Sequence, residues 1–188
     1  MKRTIMRVAI LLWLWSAGVT LTSHLAQAQA TAAAPDPARD ATREKLSALL
    51  AVQGPKNNIE FHQSVKNPYN FVGTLTTNLK NADSLEIIIS VTKNSTIGFR
   101  VYPHYKGAYL NLARVRDSTA FARKLLSYGD HNFLFWGADD ALDVFCGYTF
   151  TLESGFPDDA VTIVIRSIFG TDKFVGEMRP IIDGSSAP

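Results

Sequence analysis

The sequence predicts an α+β domain in which an antiparallel sheet is covered by helices mainly on one face. Two observations lead to this fold class. Apolar and polar residues alternate over several segments that are joined by short turns, and three other segments repeat apolar residues at helical spacing. Helical segments that are set apart from hairpins indicate separate layers of helix and sheet. We expect one such domain over residues 40–182.

The first helix is predicted from Ala41 to Gln53. Leu46, Leu49 and Leu50 lie on one stripe of it, and Gly54-Pro55 is expected to end it. The residues before it, 31–39, are rich in Ala and Pro, and we interpret them as a flexible lead-in.

Four strands are predicted next. Alternation from Ile59 to His62 and from Phe71 to Thr76 gives two of them. Stronger alternation over 85–91 and 97–102 gives a second pair, joined by the turn Lys93-Asn94-Ser95. One face of this pair is apolar and the other is mixed, as expected of a sheet that is covered mainly on one side. The mixed face is expected to carry Arg100, Tyr102 and Trp136.

A connection over 103–112 leads to a second helix over Ser118–Tyr128. Asp117 or Ser118 is suited to cap its start, and Gly129 fits the position just past its end. A second hairpin follows, with one arm over 133–136, a turn beginning at Asp139-Asp140, and the other arm over 144–152.

The last element has two interpretations. Pro157 and the acidic pair after it are typical of a helix start, and Val161, Val164 and Ile168 share a helical stripe. The β-branched run over 161–165 also favours a strand. We predict a helix that ends near Gly170, with a further turn over 174–178 before Pro180, and a tail over 183–188. A β-rich ligand-binding barrel or sandwich is the alternative.

The first thirty residues are typical of a secretory signal peptide. A basic start (Lys2, Arg3, Arg7) precedes an apolar run of about twelve residues, which is too short to span a bilayer. Overlapping small-residue patterns then predict cleavage after Ala28 or Ala30. We therefore expect a periplasmic or secreted protein with no stable membrane anchor after cleavage.

Removal of this segment changes the charge balance. It holds three of the 19 bases and none of the 17 acids, which leaves 16 bases, 17 acids and a net charge of −1. A near-neutral chain is not typical of a nucleic-acid binder. The one cysteine, Cys146, excludes an intramolecular disulfide framework.

The element order resembles the type III secretion chaperone-like fold. Within that fold, the segments Phe133-Leu134-Phe135-Trp136-Gly137 and 148–157 (YTFTLESGFP) are similar to the YbjN-like family of bacterial sensory-transduction regulators. The resemblance covers about residues 43–182 and implies a binding or regulatory module rather than a reaction.

Spacing in the sequence gives little support for catalysis. The histidines His62, His104 and His131 have no metal-ligand spacing, so no metal or other cofactor is predicted. Cys146 lies between apolar strand neighbours, which is typical of a small buried hydrophobe. Asp139, Asp140 and Asp143 do not match a calcium loop and suit a turn. A small periplasmic hydrolase that uses Cys146 or a carboxylate stays as an alternative function.

Aromatic side chains are the remaining signal, because they dominate binding energies. We expect a non-enzymatic exported module that binds a protein or peptide, with a homodimer as one form. The predicted partner-binding residues are Trp136, Tyr102, Arg100, Tyr148 and Phe156. Burial of these aromatics in the core is the competing interpretation.

Overall fold

The computed structural model describes residues 36–184. The predicted signal peptide, the first part of the lead-in and the last four residues lie outside the described residues. The elements in chain order are α1 Pro37–Lys56, β1 Glu60–Gln63, β2 Asn70–Leu75, β3 Ser84–Val91, β4 Thr96–Tyr105, β5 Ala108–Tyr109, α2 Ser118–His131, β6 Phe135–Ala138, β7 Val144–Thr151, α3 Asp158–Ser167, a 3₁₀ turn Ile168–Gly170, and α4 Thr171–Asp183.

The strands form one antiparallel sheet in the order β1-β2-β3-β4-β7-β6, and the short β5 pairs with the end of β4. One row of paired residues runs across four of its strands: Ile87, Val101, Cys146 and Trp136. Because side chains alternate between the faces of a strand, this row fixes which residues of every strand share a face.

The helices cover the face that carries this row. Its side chains and those of the helices form one buried cluster, which includes Leu46 and Leu50 of α1, Phe121 of α2 and Met178 of α4. We refer to it as the covered face. No helix among residues 36–184 lies over the opposite face, which we call the open face; its residues on β3 are only partly buried. The predicted α+β class is confirmed.

The last helix pair resolves the ambiguous segment. Val161 to Ile165 is helical, so the strand interpretation of this segment is wrong. Its apolar stripe is buried, and burial of an amphipathic face outweighs the strand preference of its β-branched residues. The single turn predicted before Pro180 is instead the 13-residue helix α4, which continues through that proline.

Three predicted helix boundaries are also wrong. Helix α1 begins at Pro37, with Asp36 capping the Arg39 amide, so the end of the predicted lead-in is helical. It runs on to Lys56, because Pro55 sits in the last turn and removes only one hydrogen bond. Helix α2 continues past Gly129 to His131, since that glycine keeps a helical conformation.

The predicted connection over 103–112 contains more regular structure than expected. Strand β4 extends to Tyr105, and a tight turn at Lys106-Gly107 leads into β5. Both turn residues have positive φ, at 55° and 77°. Two such residues are the signature of the hairpin turn whose twist matches that of the strands.

One buried carboxylate attaches α4 to the loop between β2 and β3. Asp172 accepts hydrogen bonds from the backbone amides of Lys80, Asn81 and Ala82 and from the Asn81 side chain, at 2.8–3.1 Å. Desolvation opposes ionisation of Asp172, but these hydrogen bonds outweigh it and hold its pKa below the usual value of 3.8. The carboxylate therefore links two elements about ninety residues apart in sequence.

Candidate functional site on the open sheet face

The open face is built from the residues that alternate with the core. Across β2, β3, β4 and β7, one row reads Asn70, Ser90, Gly98 and Thr149. The next row reads Val72, Ile88, Arg100, Gly147 and Phe135. The side chains of the first row are small and mostly polar. Those of the second row are mostly apolar, with Arg100 as the only charged residue in that row.

Four aromatic side chains form a cluster on this face, which we call the open-face cluster: Tyr102, Tyr109, Phe135 and Phe145. Tyr102 lies 5.8 Å from Tyr109 and 5.5 Å from Phe145 between ring centroids, and Phe135 meets Phe145 edge-on at 6.0 Å. Tyr102 and Phe145 are only 6% and 5% exposed, although no described helix lies above them. Their neighbours in the sheet bury them, and 46% of Phe135 stays exposed.

Gly147 makes room for Phe135. A Cβ at Gly147 would come within 2.9 Å of the Phe135 ring and 2.6 Å of the Phe99 carbonyl oxygen. The absence of a side chain at Gly147 therefore lets the Phe135 ring pack against the backbone of β7.

Tyr109 of the cluster and the neighbouring His104 both lie beside Glu86. The Tyr109 hydroxyl donates to the Glu86 carboxylate at 2.8 Å. Burial, followed by this hydrogen bond to an acid, raises the pKa of Tyr109 to about 12. The His104 ring lies 4.2 Å from the Tyr109 ring, and its Nε2 is 3.8 Å from Glu86. This carboxylate is thus surrounded by partners from the domain itself.

A groove of about 590 Å³ lies next to the cluster, and we call it the sheet groove. Ser90, Gly98 and Thr149 form its floor, with Tyr102 and Phe135 on one side and Lys93 on the other. A Cβ at Gly98 would meet no atom within 4 Å, so the missing side chain gives the groove its depth. The groove offers hydroxyl groups on its floor and aromatic rings at its side.

Arg100 and Tyr102 are two of the five predicted partner-binding residues, and both line the sheet groove. The Arg100 guanidinium lies 4.6 Å from the centre of the Phe145 ring, and its Nη1 donates to the Tyr102 hydroxyl at 3.4 Å. Its side chain is exposed, so it stands at the boundary of cluster and groove.

Trp136 does not share that position. The structure places it in the row of Cys146 on the covered face, where its ring lies 5.8 Å from both Tyr128 and Phe174. The expected place on the open face is therefore wrong. The sequence of β6 (FWGA) has no apolar–polar alternation that sets its facing, so pairing with β7 decides it. The indole Nε1 is buried without a hydrogen-bond partner among the described residues.

Tyr148 and Phe156 also lie away from the groove. Tyr148 is half-buried on the side of Cys146 and contacts the Phe133 and Phe150 rings. Phe156 lines a separate pocket of about 430 Å³ between the start of α1, the β3–β4 turn and the loop after β7. The structure therefore brings together two of the five predicted residues and leaves three elsewhere.

Other residues of the site were not predicted from the sequence. The predicted partner-binding residues did not include Phe135, Phe145, Tyr109, Ser90, Gly98 or Lys93. Most of them alternate with core residues on strands that were recognised, so their shared face was available as a signal. Tyr109 could not be placed because β5 was not predicted.

Cys146 is fully buried, as its apolar strand neighbours indicated. Desolvation raises the pKa of its thiol to about 11, and the Thr171 hydroxyl lies 3.4 Å from its sulfur. A buried, protonated thiol is a poor nucleophile. The geometry of Cys146 therefore gives the hydrolase alternative no support.

Two of the three aspartates after β6 make hydrogen bonds that hold the local backbone and the neighbouring Asn111. Asp139 accepts from the backbone amides of Ala141 and Asp143, both at 3.0 Å, and Asp143 accepts from the Asn111 side chain at 2.8 Å. Between residues 36 and 184, no three His, Cys, Asp or Glu side chains are grouped so as to hold a metal ion.

Searches of protein-family models and of curated proteins find no match to this chain. Among the helices of residues 36–184, none combines the length and the apolar character needed to cross a membrane.

Proposed function

We propose that this protein is an exported, non-enzymatic module of the YbjN-like type that binds a protein or peptide on the open face of its sheet. The observation that carries the proposal is the sheet groove. It lies beside two aromatic side chains on a face that no described helix covers. Clefts that combine apolar walls with a few polar groups are the usual form of a binding site.

The side chains that line the groove are better suited to binding a peptide than to catalysing a reaction. Its floor carries the hydroxyl groups of Ser90 and Thr149, which can pair with backbone groups of an extended chain. Phe135 keeps nearly half of its surface exposed and offers apolar contact area at the side of the groove, whereas Tyr102 is almost fully buried. Neither Cys146 nor the buried Asp172 reaches the groove.

The test uses the full chain, expressed in a bacterium with its leader and purified from the periplasmic fraction. N-terminal sequencing reports cleavage, which we expect after Ala28 or Ala30. The purified protein is then used to select peptides from a displayed library. We expect enriched peptides that bind the wild type and lose at least about tenfold in affinity for Gly98→Trp, whose indole fills the groove.

Gly129→Trp is the matched control. Gly129 is exposed on α2, and a Cβ there also meets no atom within 4 Å, so this variant adds the same side chain away from the groove. Retention of the full chain in the cytoplasm contradicts export. Enriched peptides that bind Gly98→Trp and wild type equally contradict the site.

A homodimer that uses the open face is the competing occupant. Sedimentation velocity distinguishes it, because a wild-type dimer that Gly98→Trp converts to a monomer would mean that a second copy covers the groove. A wild-type protein with the same sedimentation as Gly98→Trp supports a groove that is free for another partner.

A further inference from the structure

The charges that line the sheet groove have one sign. Arg39, Lys93 and Arg100 line it, and no Asp or Glu of the described chain does. This is a local property, because the chain after residue 30 carries 16 bases against 17 acids. A cleft lined by charges of one sign concentrates ligands of the opposite sign.

These cations lack acidic partners. Within residues 36–184, none of the three forms an ion pair with a carboxylate. Bases elsewhere in the domain do: Arg43 lies 2.8 Å from Asp40, and Lys106 lies 2.8 Å from Asp183. The groove therefore keeps positive charge available to a ligand.

The three cations differ in how firmly the domain holds them. Arg39 donates twice to the Val91 carbonyl oxygen, at 2.9 and 2.6 Å, and lies 3.5 Å above the Tyr69 ring. Lys93 lies on the exposed β3–β4 turn. Arg100 is positioned over Phe145 but makes only the 3.4 Å bond to Tyr102.

Most hydrogen-bond donors of the Arg100 guanidinium are therefore free to bind a ligand. A guanidinium carries five N–H groups in a planar fork that matches a carboxylate. Apart from the donor that meets Tyr102, its guanidinium nitrogens have no hydrogen-bond acceptor among the described side chains and backbone. The contact with the Phe145 ring restricts the motion of the guanidinium and lowers the entropy lost when a ligand binds.

We propose that the sheet groove binds an acidic peptide segment of a partner protein, with Arg100 pairing with a carboxylate and Lys93 adding to the attraction. This inference rests on the proposed function and names the chemistry of its ligand. An apolar side chain next to the carboxylate would contact the exposed part of the Phe135 ring. A nucleic acid fits less well, because it favours a broad basic surface that a near-neutral chain lacks.

The test measures fluorescence anisotropy with two short labelled peptides. In one, glutamates flank a phenylalanine; in the other, glutamine replaces each glutamate. We expect the wild type to bind the glutamate peptide at least about tenfold more tightly than the glutamine peptide. The difference should shrink as ionic strength rises, because salt screens exposed charges.

Variants of Arg100 show whether its charge or its packing matters. Arg100→Gln should weaken binding of the glutamate peptide about tenfold, so that the affinities for the glutamate and glutamine peptides become similar. Arg100→Glu should prefer a third peptide with lysine at each glutamate position. If Arg100 had only a structural role, its replacement by glutamate would not change the preferred ligand from the glutamate peptide to the lysine peptide. Urea unfolding of each variant confirms that it is folded.

Each contrary result has a definite meaning. If both peptides bind equally and Gly98→Trp weakens both, the proposed function stands and the preference for acidic ligands is overturned. If Gly98→Trp leaves binding of the glutamate peptide unchanged, the groove is not the site and both proposals fail. If the glutamate peptide does not bind, the inference is overturned. It is likewise overturned if only a DNA duplex or a phosphatidylglycerol vesicle binds in a manner that depends on Arg100.

Discussion

The two faces of the sheet carry similar aromatic clusters in different settings. On the covered face, Tyr128, Trp136 and Phe174 meet at 4.7–5.8 Å between ring centroids, with two helices contributing rings. On the open face, Tyr102 meets Phe145 at a similar distance, with strands alone supplying the neighbours. Aromatic content therefore does not distinguish core from surface here; the helices above a face do.

Each cluster also contains a tyrosine that donates its hydroxyl to a glutamate. Tyr128 donates to Glu177 at 3.0 Å, and Tyr109 donates to Glu86 at 2.8 Å. In both cases burial and then the acid raise the pKa of the phenol. The two tyrosine hydroxyls are thus satisfied in the same way, and what differs between the two faces is access from solvent.

The largest expected contrast comes from adjacent residues of β4 that point to opposite faces. Phe99 is almost fully buried on the covered face, and Phe99→Ala should lower the free energy of unfolding by about 3–5 kcal/mol through lost transfer energy and a cavity. Arg100→Ala should change it by less than about 1 kcal/mol, since that side chain is exposed. Urea denaturation measures both. Equal losses in the free energy of unfolding would mean that Arg100 on the open face contributes as much to stability as Phe99 in the core.

A second contrast concerns the carboxylate that attaches α4. Asp172→Asn should cost about 1–3 kcal/mol at neutral pH, because an amide cannot accept all four hydrogen bonds and places its own donor among theirs. The pKa of Asp172 is lowered on folding, so its contribution is present above its usual value of 3.8 and is lost as pH falls through the folded value.

Chemical denaturation at neutral pH and at a pH below 3.8 measures this effect. The difference in the free energy of unfolding between wild type and Asp172→Asn should become smaller at the acidic pH. If this difference in the free energy of unfolding is the same at both pH values, the ionised carboxylate does not stabilise the fold.

The paired tyrosines allow a smaller comparison. Tyr109→Phe and Tyr128→Phe should each cost about 1 kcal/mol, since each removes one hydrogen bond to a glutamate and keeps the ring. Thermal unfolding of both variants measures the cost. A negligible loss for Tyr109→Phe beside a clear loss for Tyr128→Phe would show that solvent replaces the bond on the open face.

The smallest effect on stability is expected from filling the sheet groove. Gly98→Trp should leave the free energy of unfolding within about 0.5 kcal/mol of the wild type, because the space above Gly98 is empty. Gly129→Trp gives the reference value for an exposed helix position. A loss of several kcal/mol for Gly98→Trp alone would mean that the groove is closed in solution.

The fold was predictable wherever one face of an element is apolar and the other is not. Alternation over Leu85–Val91 and Ile97–Val101 located the central hairpin and separated its two faces. The helical stripe through Val161 and Val164 identified α3 against its strand preference. These patterns report burial directly, and burial is what selects the element.

The site was only partly predictable, because it depends on registers that local sequence does not set. Arg100 and Tyr102 were assigned to the open face from the alternation of β4. Trp136 was not placed correctly, since β6 is apolar on both faces and its pairing with β7 alone decides its orientation. The turn at Lys106-Gly107, which brings Tyr109 to the cluster, requires positive φ at a lysine, and local sequence gave little sign of it.

The position of α4 at the end of the chain has a consequence for folding. This helix supplies Thr171 beside Cys146, the carboxylate that holds the loop at Lys80–Ala82, and the buried Val175 and Met178. A polypeptide emerging from the ribosome N-terminus first cannot complete its interior until these last residues are synthesised. Until α4 has been synthesised, the chain lacks part of its buried interior and remains incompletely folded.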